Sequence, residues 1–265
     1  LKIYISADIE GVTGVTHWDE TDLHKEDSKV FREQMTAEVV AACEGALQAG
    51  ATEIWIKDAH DTGRNLIASK LPKEASLIRG WTGHPLMMVQ ELDDSFAAVM
   101  MIGYHSRAGA GTSPLAHTMT GKLACISVNG RYASEFLIHA YAAASLRIPV
   151  AFVSGDKGLC DEVAQLNSHI TTVAVKEGIG EATVNIHPEL ATSRIREGVA
   201  QALRGPVADC QIPLPAHFVI EINYRDHYQA HLYGFYPGAT QKDATTVQFE
   251  SDSYFEIMRF LLFAA

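Results

Sequence analysis

Seven consecutive apolar or small residues, Ala97 to Gly103 (AAVMMIG), constrain the fold of this chain more than any other segment. A run that short and that continuous marks a strand buried on both faces, the signature of a parallel sheet covered by helices. Further apolar runs stand at Lys2 to Ile5, Thr52 to Ile56 (TEIWI) and Pro149 to Ser154. Lys122 to Val128 reads as another strand of the series, closed by the tight-turn pair Asn129-Gly130. Helical stretches lie between them. Phe31, Met35, Val39, Ala42 and Ala46 recur at steps of three and four, with Ser28 as the expected N-cap and Gly50 as the expected C′ residue. A second helix is expected from about Ala133 to Leu146. This rhythm predicts an α/β fold: a mainly parallel central sheet with helices on both faces.

Beyond a joint at residues 205–216, marked by Pro206, Pro213 and Pro215, the pattern changes. His217 to Asn223 and Thr245 to Glu250 read as strands, and Asp252 to Phe263 as a closing helix. The expected division is an α/β metal-binding core over residues 1–205 and a smaller C-terminal α+β section over 206–265 packed on it. The alternative is one single domain spanning 1–265.

Composition narrows the function classes. A formal net charge of -11, with no cluster of Lys and Arg, argues against nucleic acid or an anionic membrane surface as partner. Apolar runs such as Phe260 to Phe263 fall far short of the about 20 residues a membrane span takes. The first strand starts at Lys2, which leaves a signal peptide no room in the chain as given, although the chain begins at Leu1 rather than Met. Cys43, Cys125, Cys160 and Cys210 are isolated and read as reduced thiols of a cytoplasmic protein.

The strand ends carry the chemistry. In an open α/β sheet, ligands gather outside the carboxyl ends of the strands. The first strand runs out in Ser6-Ala7-Asp8-Ile9-Glu10-Gly11, and strand alternation puts Asp8 and Glu10 on one side of the chain. Two like charges so held repel unless something positive sits between them, and a divalent cation is the simplest candidate. His60 follows the second apolar run and His105 follows Ala97 to Gly103, while the Asn129-Gly130 turn leads into Glu135. Mixed imidazole and carboxylate ligands suit Zn²⁺, with Mn²⁺ or Co²⁺ as replacements. Asp8, Glu10 and Glu135 contribute three negative charges with both histidines neutral, so two divalent ions leave a single positive charge that a bridging hydroxide would cancel. Two metals about 3.5–4 Å apart sharing an activated water make a hydrolytic arrangement.

The Gly-rich segment Ser106 to Pro114 (SRAGAGTSP) lacks the Lys-Ser/Thr ending of a phosphate-binding loop and reads as a flexible loop carrying His117 over the metal site. His117 then serves as general acid or base, nucleophile or oxyanion donor, or else it merely starts a strand from Thr118 to Ala124. Other residues take structural readings. His84 belongs to a turn before Pro85, and Asp156 is a turn residue or helix N-cap. His139, His169, His187, His227 and His231 are surface or locally hydrogen-bonded, and Met87, Met88, Met100 and Met101 are core.

Read in order, S-x-D-x-E-G, the M-T-x-E run at Met35 to Glu38, D-x-H at Asp58 to His60 and G-Y-H at Gly103 to His105 resemble one family, the zinc D-aminopeptidases. Asn129-Gly130-Arg131 with Glu135, Gly155-Asp156 and Thr245 to Phe249 extend the resemblance over nearly the whole chain. The resemblance implies two Zn²⁺ per chain held by Asp8, Glu10, His60, His105 and Glu135, with His117 as the catalytic histidine. It also implies a homo-oligomer, a decameric ring of two stacked pentamers, acting on short peptides with an N-terminal D-amino acid such as D-Ala. Departures from the family lie in Ala108 to Pro114 and in Thr16 to Lys29, which carries His17, Trp18 and His24. The expected pocket walls are the loop after Glu10, Gly109 to Pro114 and residues near Tyr224 to His231. The competing readings are another two-metal hydrolase (a phosphoesterase or amidase) and a non-catalytic peptide- or metal-binding protein of the same fold.

Overall fold

Strands buried on both faces need apolar layers above and below, and a computed structural model describing Leu1–Ala265 supplies both. From the N-terminus, β1 (Lys2–Ala7), α1 (Ser28–Gln48), β2 (Glu53–Asp58), β3 (Ala75–Ile78) and β4 (Ala98–Tyr104) lead to β5 (Leu123–Val128) and β6 (Arg131–Tyr132). Then come α2 (Glu135–Ser145), β7 (Val150–Asp156), α3 (Lys157–Leu166), β8 (Thr171–Ile179), β9 (Ala182–Asn185) and α4 (Pro188–Arg204). The last stretch holds β10 (Phe218–Tyr224), α5 (His227–Tyr233), β11 (Thr240–Gln241), β12 (Thr246–Ser251) and α6 (Tyr254–Ala264).

The central sheet runs β3-β2-β1-β4-β7-β8-β9 and is parallel except for the antiparallel β8–β9 edge. Alternation along its strands feeds two cores. Ile3, Ile5 and Met100 join Met35 and Val39 of α1 and Ile195 and Val199 of α4 on one face. Tyr4, Val99 and Met101 face the opposite way, toward Phe136 of α2, Leu159 of α3 and Phe260 of α6. Both faces are therefore covered, as the continuous apolar runs require. No helix is long and apolar enough to cross a membrane.

The second sheet is antiparallel, in the order β11-β12-β10-β5-β6. It corrects the expectation that Lys122 to Val128 continues the parallel series. Asn129 and Gly130 sit at φ 50° and 78°, the two positive angles of a tight hairpin turn, so β5 folds back on β6. Such a turn cannot make the crossover of a dozen or more residues that parallel neighbours need. This sheet takes β5 and β6 from before residue 205 and β10 to β12 from after it. At the start of α1, Ser28 is the first helical residue and Asp27 occupies the cap position; the Ser28 hydroxyl donates instead to the Lys25 carbonyl at 2.8 Å. Gly50, at φ 94°, takes the left-handed conformation expected beyond the helix end.

Candidate metal centre

The carboxyl ends of β1, β2 and β4 lie side by side, and backbone hydrogen bonds continue past the strands to fix the residues that follow. Asp8 N–H donates to Ile102 O, Ala59 N–H to Ala7 O and Gly11 N–H to Gly103 O, each at 2.8 Å. Close approach here demands glycine. A Cβ on Gly11 would lie 1.7 Å from the Tyr104 carbonyl oxygen, and one on Gly103, at φ +71°, would lie 2.3 Å from the Asp8 carbonyl oxygen. Asp8 and Glu10 extend from β1, His60 from β2 and His105 from β4, all buried. Glu135 arrives from the other sheet as the first residue of α2, which Ser134 caps.

These five residues and His117 converge. His60 Nδ1 lies 3.3 Å from Asp8 Oδ1 and 3.0 Å from Glu10 Oε2. His105 Nε2 lies 3.5 Å from Asp8 Oδ2 and 3.4 Å from Glu135 Oε2. His117 Nε2 is 3.5 Å from Glu135 Oε1 and 4.0 Å from Glu10 Oε1.

Each ring is oriented by its far nitrogen. His60 Nε2–H donates to the Thr21 carbonyl at 3.0 Å, His105 Nδ1–H to Ser106 O at 2.9 Å and His117 Nδ1–H to Leu115 O at 2.9 Å. A carbonyl can only accept, so each bond assigns the proton to that nitrogen and turns the other toward the carboxylates. Metal-ligating histidines are held in this way. Three buried atoms in the centre, Asp8 Oδ2, Glu10 Oε2 and His105 Nε2, make no hydrogen bond. Buried polar atoms are ordinarily paired, so this cluster is built to meet something else.

The electrostatics agree. Burial, then the charge of Glu10, raises the Asp8 carboxyl well above its usual value. Burial acts to raise Glu10 too, but His60 and His117 outweigh it and hold that carboxyl low. Burial works against a charged His105, yet the Glu135 carboxylate beside it lifts its pKa to about 10, and the same pairing drops Glu135 to about 2 against its own burial. The carboxylates thus recruit positive charge wherever they find it.

Two sets of ligand atoms, Asp8–Glu10–His60 and Asp8–His105–Glu135, each lie mutually within 4.8 Å and share Asp8; a third is Glu10–His105–His117. Each can hold a cation. Oxygen and imidazole donors of this kind fit zinc.

His117 does not start a strand: Thr118 and Thr120 form an isolated bridge, and β5 begins at Leu123. Its ring stacks on His105 with centroids 4.4 Å apart and meets the edge of Trp18 at 5.2 Å. The loop before it is tied down. Ser106 bonds to Asp156, Gly178 N–H to Thr112 O, and the Thr118 hydroxyl to Ala133 O.

Asp156 is the N-cap of α3, accepting from Leu159 N–H at 2.9 Å. Asp58, the first residue of the D-x-H motif, spends both oxygens on Asn65 and Leu66 and so shapes the turn that presents His60. His139 is fully buried rather than at the surface; its Nδ1–H donates to Glu135 O, and burial lowers its pKa to about 4, keeping it neutral.

A cleft of about 730 Å³ opens over the cluster. The loop after Glu10 lines it, as expected, through Trp18, Asp19, Thr21, Asp22 and His24. Gly109 to Pro114 and Tyr224 to His231 do not. Gly109 to Thr112 turn away to a separate cleft beside α3, and the Tyr224 hydroxyl is buried against Ala264 O. The opposite wall comes from Asp61, Thr62, Trp81 and Met88, residues with no strand-end or spacing signal to announce them.

Residues 1–263 match the Peptidase_M55 family, described as D-aminopeptidase. A D-aminopeptidase of Bacillus subtilis (strain 168) is 31% identical over 264 residues, which is 99% of this chain and 96% of the relative. A solved structure described as the Zn-dependent D-aminopeptidase DppA from Bacillus subtilis, a self-compartmentalizing protease, is similar with a TM-score of 0.93 and 32% identity, covering 100% of this chain and 96% of that one.

Proposed function

The chain belongs to the D-aminopeptidase family, and on that premise we propose that it is a zinc-dependent aminopeptidase cutting the first peptide bond of short peptides that begin with a D-amino acid. The observation that carries the reading is the cluster of buried carboxylate and imidazole atoms left without hydrogen-bond partners at the floor of an open cleft. Two zinc ions would be held here, one by Asp8, Glu10 and His60 and one by Asp8, His105 and Glu135, the sets whose ligand atoms lie together. When bound, zinc polarises a carbonyl as a Lewis acid and provides a nucleophile at neutral pH.

The chain's own residues do the rest. The carboxylates fix the cations, and the backbone carbonyls of Thr21 and Ser106 hold the two ligating rings in the required tautomers. His117 keeps one proton on Nδ1 through Leu115 O, which leaves Nε2, at the edge of the cluster, to take or deliver the proton that peptide hydrolysis moves to the leaving amine.

A D- or L-peptide carbonyl reacts equally well with a given nucleophile, so the choice of hand rests on the walls of the cleft. With zinc present, D-Ala-Gly-Gly and D-Ala-D-Ala are expected to turn over faster than L-Ala-Gly-Gly, by roughly tenfold to a few hundredfold. A matched rate assay checks this, and faster cleavage of the L-peptide would keep the peptidase chemistry while removing its D-selectivity.

The similar enzyme is self-compartmentalizing, which supports assembly of this chain into a homo-oligomer, with a decameric ring as our proposal. Light scattering should then report a mass about ten times the 28.9 kDa of one chain; a monomer at micromolar concentration would rule the ring out. A cytoplasmic location is proposed on the free thiols of Cys43, Cys125, Cys160 and Cys210.

A further inference from the structure

Two half-exposed indoles share the cleft with the metal cluster, and the chemistry above uses neither. Trp18 is 45% exposed and Trp81 43%. Both line the cleft, and both are held in place.

Trp18 sits on a single turn, Trp18–Glu20, closed by the Glu20 carboxylate, which accepts from His17 N–H at 2.9 Å. The Thr21 hydroxyl bonds back to Trp18 O at 2.9 Å, and the Thr21 carbonyl receives the proton of His60. The turn bearing Trp18 is thereby tied to a ligand of the cluster. Its ring rests against His117, whose other face stacks on His105.

Trp81 is anchored at both its polar edge and its face. Its Nε1–H donates to Asp61 O at 2.6 Å, and the Lys57 ammonium lies 3.8 Å from the ring centroid. Lys57 is itself bonded to the carbonyls of Asp58, two residues before His60, and Gly80, next to Trp81.

An aromatic surface fixed in advance takes up an apolar side chain with little loss of conformational freedom. Trp18 touches His117, so what it receives must flank the bond being cut. Three acids line the cleft near the indoles: Asp19 is paired with Lys25 at 3.4 Å, while Asp22 and Asp61 face no Lys or Arg among the lining residues. That sign of charge suits the ammonium of an N-terminal residue and places that residue, rather than the following one, against the indoles. We propose that Trp18 and Trp81 form the side-chain subsite for the N-terminal residue, so that a large apolar or aromatic D-residue is preferred over D-Ala. The proposal rests on the aminopeptidase reading, whose D-Ala peptides then become accepted but slower substrates.

The test compares D-Phe-Gly-Gly with D-Ala-Gly-Gly on the full-length, zinc-loaded protein. D-Phe-Gly-Gly is expected to have the higher kcat/KM by roughly tenfold to a few hundredfold. Trp81→Ala should bring the ratio close to one, mainly by raising KM for D-Phe-Gly-Gly. Trp18→Ala should do the same and also lower kcat, because His117 loses its packing. Trp81→Phe and Trp18→Phe should retain part of the preference, and they stand in if the alanine variants fold poorly. A direct readout is saturable quenching of indole fluorescence by D-Phe-Gly-Gly in zinc-free protein, with the half-saturating concentration raised in Trp81→Ala, where Trp18 still reports.

Equal kcat/KM for the two peptides in the wild type would overturn the proposal. So would variants that slow both peptides equally while changing the mass in light scattering, which would make the indoles subunit contacts. If no peptide of either hand is cleaved, the aminopeptidase reading fails, and the fluorescence titration decides the subsite alone.

Discussion

His117→Ala is expected to lower kcat by roughly 10²–10⁴-fold, the range for loss of a positioned acid or base, while zinc content stays at the wild-type level. The geometry separates the two effects. His117 Nε2 stands 3.5 Å from Glu135 Oε1 and 4.0 Å from Glu10 Oε1. Removing the ring leaves Asp8, Glu10, His60, His105 and Glu135 in place. It also leaves the Thr118 hydroxyl on Ala133 O, which holds the loop. Steady-state kinetics together with metal analysis of the same preparation check the outcome. A specific alternative exists in the Glu10–His105–His117 set, whose ligand atoms also lie mutually within 4.8 Å. If His117→Ala loses zinc in proportion to activity, that set is a metal site and His117 is a ligand.

His60→Ala and His105→Ala should act in the opposite way, with metal lost first and activity with it. Each imidazole is the one neutral ligand of its triad. Without it, two buried carboxylates face each other with less to balance them, and cation affinity falls by more than the roughly 10–100-fold seen when only an outer partner of a ligand is removed. Zinc content should drop from about two equivalents per chain in the wild type, and peptide turnover should fall to a small residue. The fold should survive, because neither ring belongs to the two apolar clusters. Thermal stability should fall, by about 2.7 kcal/mol where free zinc had stood at 100 times its dissociation constant. Metal analysis, circular dichroism and a melting curve distinguish these effects. A wild-type protein prepared without chelator and free of transition metal, yet active, would overturn the zinc assignment.

The strand ends were legible because their signal is local. β1, β4 and β7 are wholly or almost wholly buried, so their apolar runs are continuous, and the first polar residue after each marks the ligand side of the sheet. Asp8, Glu10 and His105 follow from that, and His60 stands two residues beyond the shorter apolar run of β2. Glu135 was legible only through the Asn129-Gly130 turn before it; that turn was read as a tight pair, and it was the strand it closes that was misplaced in the parallel series. The turn's two positive φ angles admit a hairpin and nothing longer.

α4 shows why the segment between Asp156 and the prolines escaped notice. Ala191, Ile195 and Val199 keep helical spacing, but Glu189, Arg194, Arg196 and Glu197 surround them and dilute the stripe. The cleft walls were the least legible. The loop carrying Trp18 was expected as a wall, but Trp81 owes its position to a contact with Asp61 twenty residues away, which no periodicity encodes. The local hydrogen bond expected for His139 is present, to Glu135 O of its own helix; that the ring is also fully buried had no signal in the sequence.

Glu135 reaches the cluster from the second sheet, and this sets an order of events during synthesis. Its helix follows the hairpin β5–β6, which is locked by pairing with β10, Phe218–Tyr224. Asp8, Glu10, His60 and His105 emerge from the ribosome well before that strand exists. At 5–20 residues per second, the delay between translating Glu135 and translating β10 is several seconds. Asp8, Glu10, His60 and His105 belong to the first sheet, whereas Glu135 stands on a helix that packs on that sheet and follows the hairpin of the second. The six-residue cluster is therefore complete only when both sheets are in place, and one of those sheets takes three of its strands from beyond residue 205.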